Sequence, residues 1–336
     1  MKAMAVHRPG PIASRPLELV DLPVPEPVSG EMLIRVEVCG VCRTDLHVAE
    51  GDLPPHKSAI VPGHEVVGTI TKLGPSVAAL KEGEQVGVAW LHASCGTCPY
   101  CRRGAENLCT TPRFTGYDVD GGYAQYLVAP AAFVYPLPSG VPATEAAPLL
   151  CAGIIGYRAL RQSGVQPGER LGLYGFGASA HIVIQIARYW GCEVYVATRG
   201  DKHRALARQM GATWVGEAAD QPPAKLHAAI IFAPAGELVP RALAALDRGG
   251  TLALAGIYMT AIPAMDYASH LFYERTLRSV TANTRQDGKE LLALAKDIPL
   301  RTHIEAFPLE SANEVLWKLK HDQINGAAVL RVAEQT

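Results

Sequence analysis

Four cysteines fall within fifteen residues: Cys95-Gly-Thr-Cys98-Pro-Tyr-Cys101, then Cys109, with gaps of two, two and seven. Four thiolates so close together suit a closed tetrahedral zinc site, in which the metal organises a lobe (92–112) too short to have its own core. Two other chemistries compete. Reduced structural thiols are buried filler and do not cluster in this way. Bacterial ferredoxin-type iron–sulfur ligands run with gaps of two, two and three and a Pro after the last Cys; here the last gap is seven and Thr110 follows Cys109. Structural zinc fits best, and by itself it says little about activity.

Two further stretches carry reactive side chains. Cys42-Arg-Thr44-Asp45-Leu-His47 holds a thiol, a hydroxyl, a carboxylate and an imidazole within six residues, and Pro62-Gly-His64-Glu65 sets an imidazole and a carboxylate after a turn. Cys151 stands alone. Spacing cannot group Cys42, His64 and Cys151; taken singly, a lone Cys is usually buried filler and a lone His a surface or hydrogen-bonded residue. Cys39-Gly-Val-Cys42 also fits a CxxC redox pair, but no thioredoxin-like βαβ context surrounds it. Further on, Gly175-Phe-Gly177-Ala178-Ser-Ala180 follows a short apolar run and opens an amphipathic stretch. In that setting Gly175 makes a tight turn and Gly177 lets the backbone approach a pyrophosphate at a helix N-terminus.

The elements that must position these residues fall into two textures. The chain has 336 residues, 49% hydrophobic and 19% charged, enough apolar surface for about two domains and too much for disorder. Thirty-one basic against 32 acidic residues leave a formal charge of −1, which argues against a nucleic-acid partner. The best apolar stretch, Thr251 to Met265, is short and broken by Pro263, so no membrane association is expected. The N-terminus lacks the apolar core of a secretion signal, which points to a cytoplasmic, reducing setting where eight cysteines serve metals and not disulfides. Seven of the eight lie between Cys39 and Cys151, among Pro- and Gly-punctuated segments. There Met32, Ile34, Val36 and Val38 alternate as in a strand, and Val66 to Leu73 and Glu84 to Trp90 read the same way. After Cys151, strand-like and helix-like stretches alternate: 171–174, 179–190, 194–198, 201–210, 228–232, 237–246 and 251–255. That rhythm predicts a parallel sheet covered on both faces. Helices follow near 288–296 and 311–320, in a tail expected to return to the first domain.

Together, Gly40-Val-Cys42-Arg-Thr44-Asp45-Leu-His47, Pro62-Gly-His64-Glu65, the four-cysteine run and the later GxGxxA turn resemble the zinc-dependent alcohol dehydrogenases of the medium-chain dehydrogenase/reductase superfamily. The resemblance spans essentially the whole chain in order. It implies an α/β protein: a β-rich GroES-like catalytic domain (1–151 and 284–336) and a doubly wound, parallel-sheet Rossmann domain (152–283), with cofactor and substrate meeting in the cleft between. It implies two Zn2+ per chain. Cys95, Cys98, Cys101 and Cys109 would hold the structural ion, while Cys42, His64 and Cys151 would hold a catalytic ion with one position open, the ligand set already known for alcohol dehydrogenase. Asp45 would orient His64, and Glu65 would approach the metal when the substrate site empties. A dipositive ion with an open position acidifies an alcohol held there. Thr44 resembles the relay hydroxyl that takes the released proton and His47 its exit to solvent, with the cofactor ribose between them.

Two departures from the family pattern bear on the cofactor. NAD-binding members carry an acid at the end of the second strand; here Thr198 stands there and Arg199 follows. Loss of a carboxylate removes repulsion of a 2′-phosphate, and a guanidinium can grip one, so NADP(H) is favoured, with NAD(H) possible. Near the C-terminus Ala327 follows Gly326, where many relatives have an Arg on the pyrophosphate. Gly256 and Ile257 resemble the stretch whose backbone faces the nicotinamide amide. Trp90, Thr115-Gly-Tyr117 and Leu271-Phe272 are candidate walls for a small alcohol or aldehyde, bulk at Trp90 favouring small primary ones. The family implies a homo-oligomer, dimer or tetramer. Alternatives are a polyol or aromatic-alcohol dehydrogenase of the same superfamily, a zinc-free quinone reductase, which would lack these ligands, and a non-catalytic zinc-binding module.

Overall fold

The computed structural model describes residues 1–137, 140–298 and 300–332. They divide into two units: 1–151 with 282–296 and the chain from 301 onward, and 152–281 with a short return at 297–300. The expected divide at 283/284 is two residues late and omits that return. Asn283 belongs with the first unit because its buried amide meets the Tyr135 hydroxyl. Thr284 then opens the helix Arg285–Asp297, its N–H and hydroxyl both donating to Asp287 at 2.8 and 2.6 Å.

In the first unit the alternation that starts at Met32 becomes the long strand Glu31–Val41, central in a mixed sheet of seven strands among the described residues. Its first half pairs with Tyr126–Pro130, its second half with Ala327–Arg331, and both halves with Glu65–Leu73. Ile304–Pro308 lies outside Ala327–Arg331, and Gln85–Val88 and Val134–Pro136 complete the other side. Because the second half of Glu31–Val41 is covered on both faces, strict alternation gives way to a buried run from Val38 to Val41. Met32, Ile34, Val36, Val66 and Ile70 are nearly inaccessible, each such side chain contributing about 1.5–3 kcal/mol by leaving water. Gln85–Val88 stops short of Trp90: the backbone there turns away and Trp90 O accepts instead from Thr115 N–H at 2.9 Å.

In the second unit six parallel strands run in the order Trp214–Gly216, Glu193–Ala197, Arg170–Tyr174, Leu226–Ile231, Leu246–Leu254, Thr276–Ser279, among the described residues. Numbered along the chain this is 3-2-1-4-5-6, the doubly wound Rossmann order. Leu171, Leu173, Val194, Val196 and Ile230 are all fully buried, as a sheet covered on both faces requires. The helix Ala178–Tyr189 supplies one cover through Ile182, Val183, Ile186 and Ala187. Strand order reverses between Arg170–Tyr174 and Leu226–Ile231, and the crevice beyond that reversal is where such sheets take ligands.

Candidate metal centre and cofactor turn

Cys42 ends the long strand and caps the helix Arg43–Glu50. Its Sγ accepts from Thr44 N–H at 3.3 Å, while Asp45 Oδ2 accepts from Cys42 N–H at 2.9 Å, a reciprocal capping box. One local motif thus ties the thiol to two residues of the helix that follows it, Thr44 and Asp45. Asp45 Oδ1 faces the other way and accepts from Gly63 N–H (3.1 Å) and His64 Nδ1 (3.0 Å). A carboxylate only accepts, so Nδ1 turns a hydrogen toward Asp45 and Nε2 is the nitrogen left to ligate. Burial pulls His64 down, but Cys42 and Asp45 outweigh it and push it well above its usual range, so a metal binding there displaces a proton from Nε2. That Nε2 lies 3.3 Å from Cys42 Sγ. Gly63 holds φ +98°, and a Cβ there would sit 2.5 Å from the Tyr123 ring and 2.8 Å from Cys39 Sγ, so only glycine turns the chain into His64 at this point.

Cys151 follows the short helix Ala147–Leu150 and completes the group: one donor atom each from Cys42, His64, Glu65 and Cys151 lie within 4.8 Å of one another. His64 and Glu65 are almost fully buried. The Cys42 thiol is held well below its usual range, first by the hydrogen bond with Cys151 and then, against burial, by His64 and Thr44. Cys151 is pushed up as the partner that keeps the proton. Burial, then the charge of Cys42, pushes Glu65 up as well. A buried pair of thiols sharing a proton beside the Nε2 of an imidazole is a donor set that a soft divalent ion satisfies by displacing protons. Tetrahedral zinc with sulfur at about 2.3 Å and nitrogen at about 2.05 Å needs S···N near 3.6 Å; the observed 3.3 Å fits.

The second cluster fits equally. Cys95, Cys98, Cys101 and Cys109 have their sulfurs within 4.8 Å of one another, with Cys95 to Cys101 at 3.9 Å and Cys98 to Cys101 at 3.5 Å. A tetrahedral tetrathiolate needs about 3.8 Å. Backbone N–H groups of Thr97 and Cys98 bring Cys95 down to about 5, which favours the deprotonated form that a metal needs. The lobe is tied down by Glu106, which accepts from Arg285 N–H (3.1 Å) and Nε (2.8 Å), while Arg285 stacks on Phe133.

In the second unit, Gly175 (φ +89°) leaves the first strand with its N–H on Ala197 O at 2.9 Å, and Gly177 precedes Ala178, the first residue of the helix. A Cβ on Gly177 would meet nothing within 4 Å, so this turn presents bare backbone at a helix N-terminus, the arrangement that cradles a pyrophosphate. Thr198 is buried just past Glu193–Ala197, its N–H on Gly216 O, and Arg199 beside it is exposed. Gly256 and the exposed Ile257 follow Leu246–Leu254. Because the strands are parallel, all these residues lie at one edge of the sheet, beyond its carboxyl ends.

The GroES-like domain model of alcohol dehydrogenases matches residues 28–139, and the zinc-binding dehydrogenase model matches 180–297. A probable alcohol dehydrogenase, AdhA, of Mycobacterium tuberculosis is 53% identical over 99% of this chain and 97% of its own length. The chain belongs to the zinc-type alcohol dehydrogenases of the medium-chain superfamily. Among solved structures, the cinnamyl alcohol dehydrogenase SbCAD4 of Sorghum bicolor superposes with TM-score 0.89 at 28% identity, covering 100% of this chain and 99% of that one. Acetophenone reductase of Geotrichum candidum, in complex with NAD, gives 0.86 at 28% identity, covering 98% and 96%. The dehydrogenase is therefore an oxidoreductase that interconverts alcohols with aldehydes or ketones, using zinc and a nicotinamide cofactor.

Around the metal group of this dehydrogenase, Thr44 is buried on the first helical turn, and His47 is half-buried one turn further along. Trp90 meets His64 edge-on at 5.1 Å and stacks on Phe114 at 4.8 Å, with Tyr117 beyond at 6.1 Å. Thr115 is buried, its hydroxyl spent on Ala89 O. Phe272 lies in the second unit, more than half exposed, against Tyr267 and Tyr273. Sequence reasoning missed Tyr123, the fully buried ring behind Gly63; a lone Tyr gives no spacing signal. It also missed Asp52, whose carboxylate meets His47, and the Arg285–Glu106 tie, whose partners are far apart in sequence.

Proposed function

We propose that Cys42, His64 and Cys151 hold the catalytic zinc and that the four-cysteine lobe holds a second, structural zinc. The observation that carries this is the convergence of two thiols and an imidazole lone pair, the latter fixed from behind by Asp45. When bound, the ion supplies Lewis acidity toward an alcohol or carbonyl oxygen. The chain's own residues do the rest. Asp45 holds His64 in its ligating tautomer and, through the capping box, holds Cys42 in place. Glu65 is a buried carboxyl within reach of the same point, available as a fourth donor when substrate is absent. Thr44 presents a hydroxyl, which donates and accepts at once, and hands the alcohol proton toward His47. Trp90 and its stacked neighbours exclude water from the side of His64.

The cofactor sits on the Gly175–Ala178 turn, with NADP(H) preferred over NAD(H): Thr198 offers no negative charge and Arg199 an exposed guanidinium. A polyol substrate is disfavoured, since that branch often carries a carboxylate in place of Cys151. The flat Trp90–Phe114–Tyr117 stack supports a second reading, an aromatic alcohol or aldehyde as substrate, in keeping with the aromatic compounds that name both solved relatives. The enzyme works as a homo-oligomer in the cytoplasm. A spectrophotometric screen of short and aromatic alcohols and aldehydes with both cofactors tests this, with Cys42→Ala as control. Turnover that survives in Cys42→Ala, or no turnover with any alcohol, overturns it.

A further inference from the structure

The helix Arg43–Glu50 ends at Gly51, and the turn after it doubles back: N–H groups of Gly51 and Asp52 both donate to His47 O, at 3.1 and 3.0 Å. This fold-back lays the Asp52 carboxylate against the imidazole of His47, with Oδ2 2.7 Å from Nδ1. The short distance has one chemical meaning. A carboxylate accepts only, so in the neutral ring the hydrogen sits on Nδ1 and the lone pair on Nε2. Isolated neutral imidazoles in water favour the opposite tautomer, with hydrogen on Nε2, so the pairing selects a form that His47 would otherwise populate less.

We propose that Asp52 is a positioning residue for proton transfer: it holds His47 in the tautomer whose Nε2 can take the proton that alcohol oxidation releases. This rests on the proposed relay through Thr44 and His47. In the oxidation direction one proton leaves the alcohol hydroxyl as hydride leaves its carbon for the nicotinamide ring. The proton arrives at Nε2 and gives an imidazolium whose Nδ1–H still donates to the carboxylate. That charge-assisted bond is stronger than the neutral one before it. Loss of the Nε2 proton to water at the imidazole, which is 22% exposed, then restores the starting tautomer with Nδ1–H still on Asp52. The half-buried imidazole and the exposed carboxylate are both within reach of solvent. The other carboxylates on the helix are committed elsewhere. Asp45 is bound to His64 and Cys42, and Glu50 accepts from Lys320 and from Ile12 N–H.

The test reads the tautomer directly and does not depend on turnover. Long-range 1H–15N correlation spectra of the zinc-loaded protein, with the His47 signals assigned by their loss in His47→Gln, should show hydrogen on Nδ1 in the wild type. Asp52→Ala should move His47 to mostly hydrogen on Nε2. Asp52→Asn keeps the shape of the turn, and its amide, able to offer NH2 to Nδ1 as well as oxygen to Nδ1–H, should lose the bias toward hydrogen on Nδ1. In both variants kcat for oxidation should fall about tenfold with a larger solvent deuterium isotope effect, and KM for the alcohol should stay within about twofold. An unchanged tautomer in both variants overturns the proposal, as does a kcat that stays at the wild-type value once the tautomer has switched. The relay itself fails separately: wild-type kcat in His47→Gln would reject it while leaving the tautomer result intact.

Discussion

Replacing Asp45 by Asn probes how the metal ligands are held, and the geometry sets the size of the effect. Asp45 is 1% exposed and accepts three hydrogen bonds, from His64 Nδ1, Gly63 N–H and Cys42 N–H. An amide of the same shape keeps the two bonds at Oδ1 but turns its NH2 toward Cys42 N–H, donor against donor. One buried N–H then goes unsatisfied, at about 1–3 kcal/mol, and the bond to His64 loses its charge assistance. The opposite rotamer is worse, since it faces two donors. Both losses fall on residues that hold the proposed catalytic ion, so its affinity should drop by roughly 10–100-fold, the range seen when such outer partners are removed. The four-cysteine lobe shares none of these bonds and should keep its ion. A chelator titration with a chromophoric indicator resolves the two releases as separate phases, and only the weaker phase should shift. Unchanged affinity in Asp45→Asn refutes the reasoning; equal shifts in both phases would mean general loosening of the fold.

Four further outcomes are expected. Cys42→Ala removes a ligand and a helix cap; the cap is worth about 1 kcal/mol, so the variant should fold with a slightly lower Tm and no turnover. Cys98→Ala should instead lose one zinc and much of its thermal stability; the reverse pattern would contradict the assignment of the two sites. Thr198→Asp places a carboxylate near a 2′-phosphate, costing about 1–4 kcal/mol for charges about 4 Å apart, depending on the local dielectric. The ratio of kcat/KM for NADP over NAD should therefore fall at least about fivefold, and an unchanged ratio defeats the cofactor assignment. Finally, burial pushes the Glu106 carboxyl up, but hydrogen bonds from Arg285 outweigh it and hold the group below its usual range. A depressed carboxylate stabilises the fold above its unfolded value, about 4.3, and loses that stabilisation as pH falls through the folded value. The Tm gap between wild type and Glu106→Gln should thus be widest above about pH 5 and shrink below about pH 4; a gap independent of pH would count against it.

What could be read from the sequence was whatever local spacing encodes. The four-cysteine run is a closed loop in one segment, and its sulfurs meet as its gaps suggest. The alternation of strands and helices after Cys151 gives the parallel sheet, because buried parallel strands are written as short apolar runs. Cys42, His64 and Cys151 were different: only family resemblance joined them, since a strand end, a glycine turn and a short helix must fold together before they meet. Strand ends shifted where loops competed, as at Trp90, and Leu246–Leu254 begins five residues before the expected Thr251, because Leu246 already pairs with Leu226 while 247–250, with Gly249 at φ +72°, bulge out before pairing resumes at Ala228 and Thr251. Asp52 escaped notice for the same kind of reason: a carboxylate after a helix-ending glycine reads as an ordinary surface acid until the turn folds it onto His47.

Zinc K-edge absorption on the purified enzyme, with metal counted per chain, tests the two-site assignment most directly. Two zincs per chain are expected, with an averaged shell of about three sulfurs and one nitrogen or oxygen per ion, becoming purely sulfur when Cys42→Ala empties the catalytic site. One zinc per chain with an all-sulfur shell in the active wild-type enzyme would contradict it.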